Sequence, residues 1–380
     1  MRILALCCGA MLASSVAYAD IDADTDKKWH GQAAAGADFG FTPEVGGFGF
    51  VLFQATRADI ARDADLRLYY NTDTVEVGLN RLSMGKNFDF SVALRGEIVF
   101  AGLLRFYYQQ GKRVDGFGFN ASYVVLLPKI QWHPANHHTL ELLTNVRYWF
   151  FGSNNTDPIY LLPNNTWVFE PRLGYIYWNV TSPSEEWGAE RLFPRIEGVA
   201  VGVSIGVDVR SDTTPWGLLD GRNDPSKGIL TINQWLKAGW RFGDRFRLEL
   251  QDNANWGENQ DDITRMRVAG MNPYVVIVPG LPWSAILSER LFVAQASGNV
   301  RVKKDKPQEI GLLISGGTVN DPFRVGDLKK FGGIGGVAIT TDLRWGIWQV
   351  YGRAGYAFPA AWMVDNPYFS VLVGLGVNAF

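Results

Sequence analysis

Between residues 195 and 210, large apolar side chains fall on every second position. Val199, Val201, Val203, Ile205, Val207 and Val209 share one parity, while Gly198, Ala200, Gly202, Ser204, Asp208 and Arg210 take the other. A strand between lipid and a lumen needs this division, apolar on one face and polar or small on the other. The pattern repeats in 230–242, where Leu230, Ile232, Leu236, Ala238, Trp240 and Phe242 oppose Thr231, Asn233, Lys237 and Arg241. It repeats again in 245–256, where Phe246, Leu248 and Leu250 oppose Arg245, Arg247, Glu249 and Gln251, with Gly243 and Asp244 between as a tight hairpin turn. No stretch beyond the N-terminus holds the roughly 20 uninterrupted apolar residues of a membrane helix, so any crossing is by strands. The 42 Gly, 14 Trp and 14 Tyr suit barrel strands with aromatic girdles. The expected fold is therefore all-β, an antiparallel transmembrane β-barrel.

The N-terminus reads as a secretory signal over residues 1–19. Arg2 precedes an apolar run from Ile3 to Leu12, and Ala17-Tyr18-Ala19 forms a small-residue cleavage site. Cys7 and Cys8, the two cysteines of the chain, lie within it, so the processed chain is expected to hold no disulfide, thiolate metal site or cysteine nucleophile. The expected location is the bacterial outer membrane. Lipid and lipopolysaccharide are the expected surroundings, and a net charge of −2 gives no reason to expect a nucleic-acid partner.

Counting back from the C-terminus gives 16 strands: 367–380, 346–358, 331–345, 307–318, 290–303, 245–257, 228–242, 195–210, 167–181, 138–152, 116–133, 96–110, 87–95, 73–83, 63–72 and 46–57. Short connections then share one end with both termini, the periplasmic end, except for the 13-residue 182–194. The long connections 153–166, 211–227, 258–289, 319–330 and 359–366 share the external end. This places the barrel at 46–380 and leaves 20–45 as a short periplasmic segment ahead of it.

The connection 258–289 is too apolar for a solvated loop, holding Val275, Val276, Val278 and Trp283. It is expected to fold into the lumen, where Arg265 or Arg267 meets an inward carboxylate; a barrel of 16 strands has room for it. Glu258, Asp261 and Asp262 at its start read as solvated carboxylates in preference to holders of lipopolysaccharide-bridging cations. Charges inward by parity include Glu141, Arg147, Asp208, Arg210, Lys237, Arg247, Glu249, Asp342, Arg344 and Arg353. They are compatible both with a polar conduit and with a lumen made solid by ion pairs.

Other polar groups read as structural. Adjacent His137 and His138 face opposite ways in a strand and Pro134 separates them from His133, which favours a solvated turn over a metal site. Asp20, Asp22, Asp24 and Asp26 lack the Gly and terminal Glu of a calcium loop. Ser284 and Ser288 have no histidine nearby in sequence, which leaves a hydrolase without support. No catalysis, metal or cofactor is expected.

Three features resemble the barrel domain of the BamA, TamA and two-partner-secretion transporter superfamily, the bacterial surface antigen proteins. They are the 16 strands with the largest external loop between the eleventh and twelfth, the loop sequence Arg267-Val-Ala-Gly270 with Asn272-Pro273-Tyr274, and the closing strands from Ile314 through Trp345 into 347–357. The resemblance covers about residues 228–380 and implies an Arg-Gly-aromatic loop signature held in the lumen by an aspartate of the thirteenth strand. Ser315 stands at that position here. The expected lumen partners therefore become Glu309 and Asp342, with Arg344 beside them, and Arg265, Arg267, Gly270, Asn272, Pro273 and Tyr274 are the loop side of the site. The family's periplasmic peptide-binding repeats have no counterpart in the sequence. The terminal Phe380 would serve as the assembly signal, but Phe369, Val371, Val373, Leu375 and Val377 lie on the opposite parity, so a bulge or a last residue out of register is expected.

The resemblance implies a barrel that assists insertion of outer-membrane proteins or passage of polypeptides through a weak seam between first and last strands, with polypeptide clients and a periplasmic partner. Two alternatives stand beside it: a porin-like diffusion channel whose inward charges set selectivity, and a surface structural protein acting through 153–166 and 211–227.

Overall fold

The computed structural model describes residues 29–40, 48–61, 64–71, 74–97, 104–109, 112–153, 156–181, 197–218, 228–261, 263–268, 278–280, 286–303, 308–320, 331–345, 347–358 and 368–378. The expected signal peptide and acidic start, the connection 182–194 and Phe380 lie outside the described residues.

Sixteen strands close into an antiparallel barrel. In chain order these are β1 Trp29–Gly40, β2 Phe48–Ala61, β3 Ala64–Asn71, β4 Thr74–Gly85, β5 Phe88–Glu97, β7 Lys112–Ala135, β8 His138–Ser153, β9 Thr166–Thr181, β10 Glu197–Arg210, β11 Ile229–Phe242, β12 Phe246–Glu258, β15 Arg290–Arg301, β16 Glu309–Asn320, β17 Phe331–Trp345, β18 Trp348–Phe358 and β19 Tyr368–Asn378. Each pairs with the next, and β1 pairs with β19 over nine register positions from Gln32↔Asn378 to Gly40↔Ser370, which closes the ring. Among the described residues three short strands lie outside it. β6, Leu104–Gln109, pairs with the far end of β7, and β13, Met266–Val268, pairs with β14, Ile286–Ser288.

The expected total of sixteen is correct, but its first members are not. The segment 20–45, expected ahead of the barrel, contains β1, whose core Gln32-Ala-Ala-Ala-Gly-Ala-Asp38 offers no large side chain on either face and hence no alternation to read. The expected strand 96–110 is not a ring member, because β5 runs through Glu97 and β7 passes directly to its side. One omission and one excess cancel, and the direction of the first four strands is reversed.

Alternation is followed closely where it is strong. On β10 Val203, Ile205, Val207 and Val209 are exposed on the outer wall while Ala200, Gly202, Gly206 and Asp208 are buried inside. On β19 Phe369, Val373 and Leu375 are outward and Ser370, Leu372, Gly374 and Gly376 inward. The two-residue β11–β12 turn places Gly243 at φ +62°, a left-handed conformation that glycine adopts without strain. Most short turns gather at one end of the barrel, here the hairpin end, and most long connections at the other, the loop end; the short β3–β4 turn at the loop end and the long β9–β10 connection at the hairpin end are the exceptions.

Within the barrel the loop end is filled by an apolar cluster. Phe119, Tyr123, Val125 and Leu127 on the inner face of β7, with Leu143 and Trp149 of β8, pack against Tyr160, Trp216 and Ile263 from three different loop-end connections. Phe119 meets Trp216 edge-on at 5.5 Å and stacks on Tyr160 at 6.0 Å. Leu161 and Gly217 form a β-bridge that ties two of these connections together. The burial of these aromatics closes the loop end over the β7–β8 wall.

Candidate functional site

The β12–β15 connection enters the lumen, as its apolar content predicts. Ile263 and Val278 are almost fully buried. Its strongest hold is a carboxylate. Asp261, 1% exposed, receives a two-pronged bond from the Arg210 guanidinium at the end of β10, at 2.5 and 3.1 Å. The indole N–H of Trp216 donates to the same carboxylate at 3.3 Å. Asp261 also shapes its own turn, accepting at its side chain and its carbonyl from the Thr264 N–H, while the Arg265 N–H donates to that carbonyl.

Behind Arg210 the inner faces of β8, β9 and β10 continue the network. Arg210 lies 3.9 Å from Asp208, Arg172 pairs with Glu170, and Asn145 donates to Glu170 at 2.9 Å. Arg147 lies over the rings of Tyr123 and Trp149 at 4.9 and 5.4 Å, linking the charge network to the apolar cluster. Burial pushes the Asp261 carboxyl up, but the Arg210 charge and the hydrogen bonds from Arg210 and Thr264 outweigh it and hold the group below the usual carboxylate range.

The far side of the loop rests on glycines. A Cβ on Gly336 of β17 would lie 2.5 Å from the Pro279 carbonyl oxygen, and one on Gly355 of β18 would lie 2.6 Å from Pro279 Cβ. Both glycines face inward, and together they make a notch that seats Pro279 and Gly280. The loop is thus held at two places on the wall, by a charge pair at β10 and by close backbone packing at β17–β18.

Several expected site residues lie elsewhere or act differently. Arg265 pairs with Glu289, at the other end of the same loop, at 3.3 Å. Arg267 stands in β13 opposite Leu287 of β14. Gly270, Asn272, Pro273 and Tyr274 are outside the described residues. Glu309 and Asp342 are inward and buried as alternation predicts, but they belong to a different cluster at the hairpin end. They are register neighbours on β16 and β17; Arg247 of β12 pairs with Glu309 at 2.9 Å, and Gln349 donates to Asp342 at 3.0 Å. Arg344, half-buried on β17, is the register partner of Gln349. The Arg267 side chain lies outside the described residues, and the loop-to-wall ion pair among the described residues is that of Asp261 with Arg210. Asp261 is correspondingly not a solvated loop residue.

The hairpin-end cluster also contains Glu249, 3.4 Å from Arg247 and accepting from Ser297 at 3.3 Å. A third set joins Arg67 and Arg95 to Glu76 on the wall of β3, β4 and β5. The described inward charges are thus largely buried and paired, and of the two readings the sequence leaves open they fit the lumen made solid by ion pairs. Among the described residues no group of His, Cys, Asp and Glu has the arrangement of a metal site.

The β1–β19 seam contrasts with these walls. Its ladder is complete, but Ala34 faces Gly376 and Gly36 faces Gly374 on the inside, and Ala33, Ala35 and Ala37 face Val377, Leu375 and Val373 outside. Cross-strand side-chain pairs contribute roughly 0.2–1 kcal/mol each. Between Ala33 and Ala37 the seam has few large pairs and depends mainly on backbone hydrogen bonds, with Phe39 and Val371 as a larger pair toward its loop end.

With the ring, the inserted loop and the seam in place, solved barrels give a consistent comparison. BamA from Haemophilus ducreyi lacking POTRA domains 1-3 superposes with a TM-score of 0.56 at 10% identity, over 90% of this chain and 70% of that one. The fold is that of a BamA-type barrel domain. CdiB from Escherichia coli gives 0.59 at 11% identity and CdiB from Acinetobacter baumannii 0.54 at 9%, each over 92% of this chain. The chain spans 63% and 60% of those two CdiB chains. No protein-family model matches the sequence, and no curated protein matches it. The likeness to BamA and CdiB is therefore one of backbone architecture.

Proposed function

We propose that this barrel handles polypeptides in the outer membrane, assisting their insertion or translocation at the β1–β19 seam while the inserted loop keeps the lumen braced. The seam carries the reading, since its middle joins alanine and glycine of β1 to small or aliphatic partners, Ala33 to Val377, Ala34 to Gly376, Gly36 to Gly374 and Ala37 to Val373. A stretch of ladder held mainly by backbone bonds can exchange partners with another edge strand, because any extended chain offers the same donors and acceptors. Buried ion pairs on three inner walls and the loop lock supply a rigid remainder against which one seam can open. The same burial removes support from a porin-like channel, whose selectivity would need hydrated inward charges. The loop end of the barrel is then external and the hairpin end periplasmic.

Depletion of the protein followed by quantitative proteomics of the outer-membrane and secreted fractions tests this. Loss of many barrel proteins would indicate insertion, and loss of one or a few exported proteins would indicate dedicated translocation. Unchanged protein profiles with impaired small-solute uptake would overturn the proposal in favour of a channel.

A further inference from the structure

The rim of the barrel at the hairpin end is unevenly charged. Where β11 turns into β12 and β15 leaves toward β16, the cations Arg241, Arg245, Arg247, Arg301 and Lys303 gather on adjacent strands, and the Arg301 N–H donates to the Arg245 carbonyl at 2.8 Å between them. Arg247 and Arg301 are buried, and Arg247 is answered by Glu249 and Glu309. Arg241 lies 3.7 Å from Glu197. Arg245 and Lys303 share the inward parity of Arg247 and Arg301 but stand exposed, and neither takes part in an ion pair among the described residues. On the other side of the rim charge is matched, Arg81 pairing with Asp65 at 2.6 Å, and exposed Lys86 occupies the β4–β5 turn.

The chain itself carries a complement for the two exposed cations. β1 begins at this same end with Trp29, exposed on the outer wall with the Arg57 guanidinium over its ring at 5.7 Å. The nine residues ahead of it, 20–28, read Asp-Ile-Asp-Ala-Asp-Thr-Asp-Lys-Lys. Asp20, Asp22, Asp24 and Asp26 fall on alternate positions, so an extended chain turns all four carboxylates to one side. Nine extended residues span about 30 Å, and a ring of sixteen strands is itself roughly 30 Å across. Counted around the ring from β1 through β19, β18, β17 and β16, β15 is the fifth strand, within that reach.

We propose that 20–26 docks as an acidic strap across the hairpin-end rim, with Asp20 and Asp22 against Arg245 and Lys303. Both partners are surface charges, so the contact is weakened by salt, and the tether through β1 favours it by keeping the carboxylates close at hand. The strap holds the start of β1 to the far wall. An acidic stretch on an entering polypeptide would compete for the same two cations. The inference stands apart from the function proposed for the seam, since the strap would dock whatever the barrel handles.

Zero-length carbodiimide crosslinking of the full-length protein in lipid nanodiscs, mapped by peptide mass spectrometry, tests the docking. The reagent joins a carboxyl to a lysine amine only in direct contact. At low salt Asp20 or Asp22 should link to Lys303, or to Lys304 and Lys306 beside it, at least about fivefold more than to Lys86. Lys86 is three to four strands from β1 in the other direction, nearer than β15, so an undocked tether would link to it at least as well. The preference should vanish at about 1 M salt, where the screening length is about 3 Å, and should fall in Arg245→Gln, an exposed substitution that leaves the barrel intact. Equal or greater linkage to Lys86, a preference for Lys303 that survives both high salt and Arg245→Gln, or links formed solely between separate barrels would each overturn the proposal.

Discussion

Asp261→Ala is expected to destabilise the barrel by about 3–5 kcal/mol, since it leaves the Arg210 guanidinium and the Trp216 N–H buried without their shared acceptor. Thermal unfolding in detergent, followed by near-ultraviolet circular dichroism, reports the loss, and limited proteolysis reports release of the β12–β15 connection. Replacing both partners, Arg210→Met with Asp261→Leu, should recover part of the stability by removing the stranded guanidinium, while Asp208 loses its neighbouring cation and the Trp216 N–H stays without its acceptor. A single Asp261 variant as stable and as protease-resistant as the parent would show that the loop is held by its apolar contacts and not by this pair. Acid acts on the same lock. The Asp261 carboxyl is depressed in the folded protein, so its stabilisation is fully present above the ordinary carboxylate value of about 4 and fades as pH falls through the lower folded value. The difference in stability between parent and Asp261→Ala should therefore shrink below about pH 4.

The second large effect is expected at the hairpin end. Arg247 is 1% exposed and lies within ion-pair distance of Glu249 and Glu309, while Glu309 sits in register with Asp342. Arg247→Leu removes the cation from among buried carboxylates and should cost about 3–5 kcal/mol. Adding Glu309→Gln to that variant should return a substantial part of the loss by removing one of the stranded charges. Chemical denaturation of the three proteins measures both steps. No recovery in the double variant would mean that Arg247 acts through packing of its stem more than through charge. The two clusters lie at opposite ends of the lumen, so the Asp261 and Arg247 effects should add.

The legibility of these features in the sequence follows from how each is encoded. Val199 to Val209 declare a strand because large apolar residues on one parity have no other stable use, and β10 forms as read. β1 was invisible for the opposite reason, its alanines and glycines being equally compatible with either face or with a linker. The inserted loop was legible from Val278 and its neighbours, since apolar residues there need a dry partner. Its lock was not. Asp261 lies in Glu258-Asn-Gln-Asp-Asp262, a run that reads as solvated, and its partner Arg210 is 51 residues earlier. The one available hint was Trp216, a large aromatic between Pro215 and Gly217 in an otherwise polar connection. Glu309 and Asp342 face inward as alternation predicts, but alternation alone gives no height along the lumen. Both stand only a few residues from short turns, which fixes them at the hairpin end, away from where a loop-end connection enters.

The seam admits the most direct test of the central claim. Ala35 and Leu375 are register partners across β1 and β19, and Ala238 and Leu250 are register partners across β11 and β12. A cysteine pair at each place gives a locked seam and a locked control, both closed in an oxidising compartment and reopened by reductant. In cells depleted of the native protein, the control should restore the affected outer-membrane or exported proteins, and the seam-locked variant should fail to do so until dithiothreitol is added. Full restoration by the seam-locked barrel under oxidising conditions would contradict the account, because polypeptides would then be handled without the β1–β19 ladder ever opening.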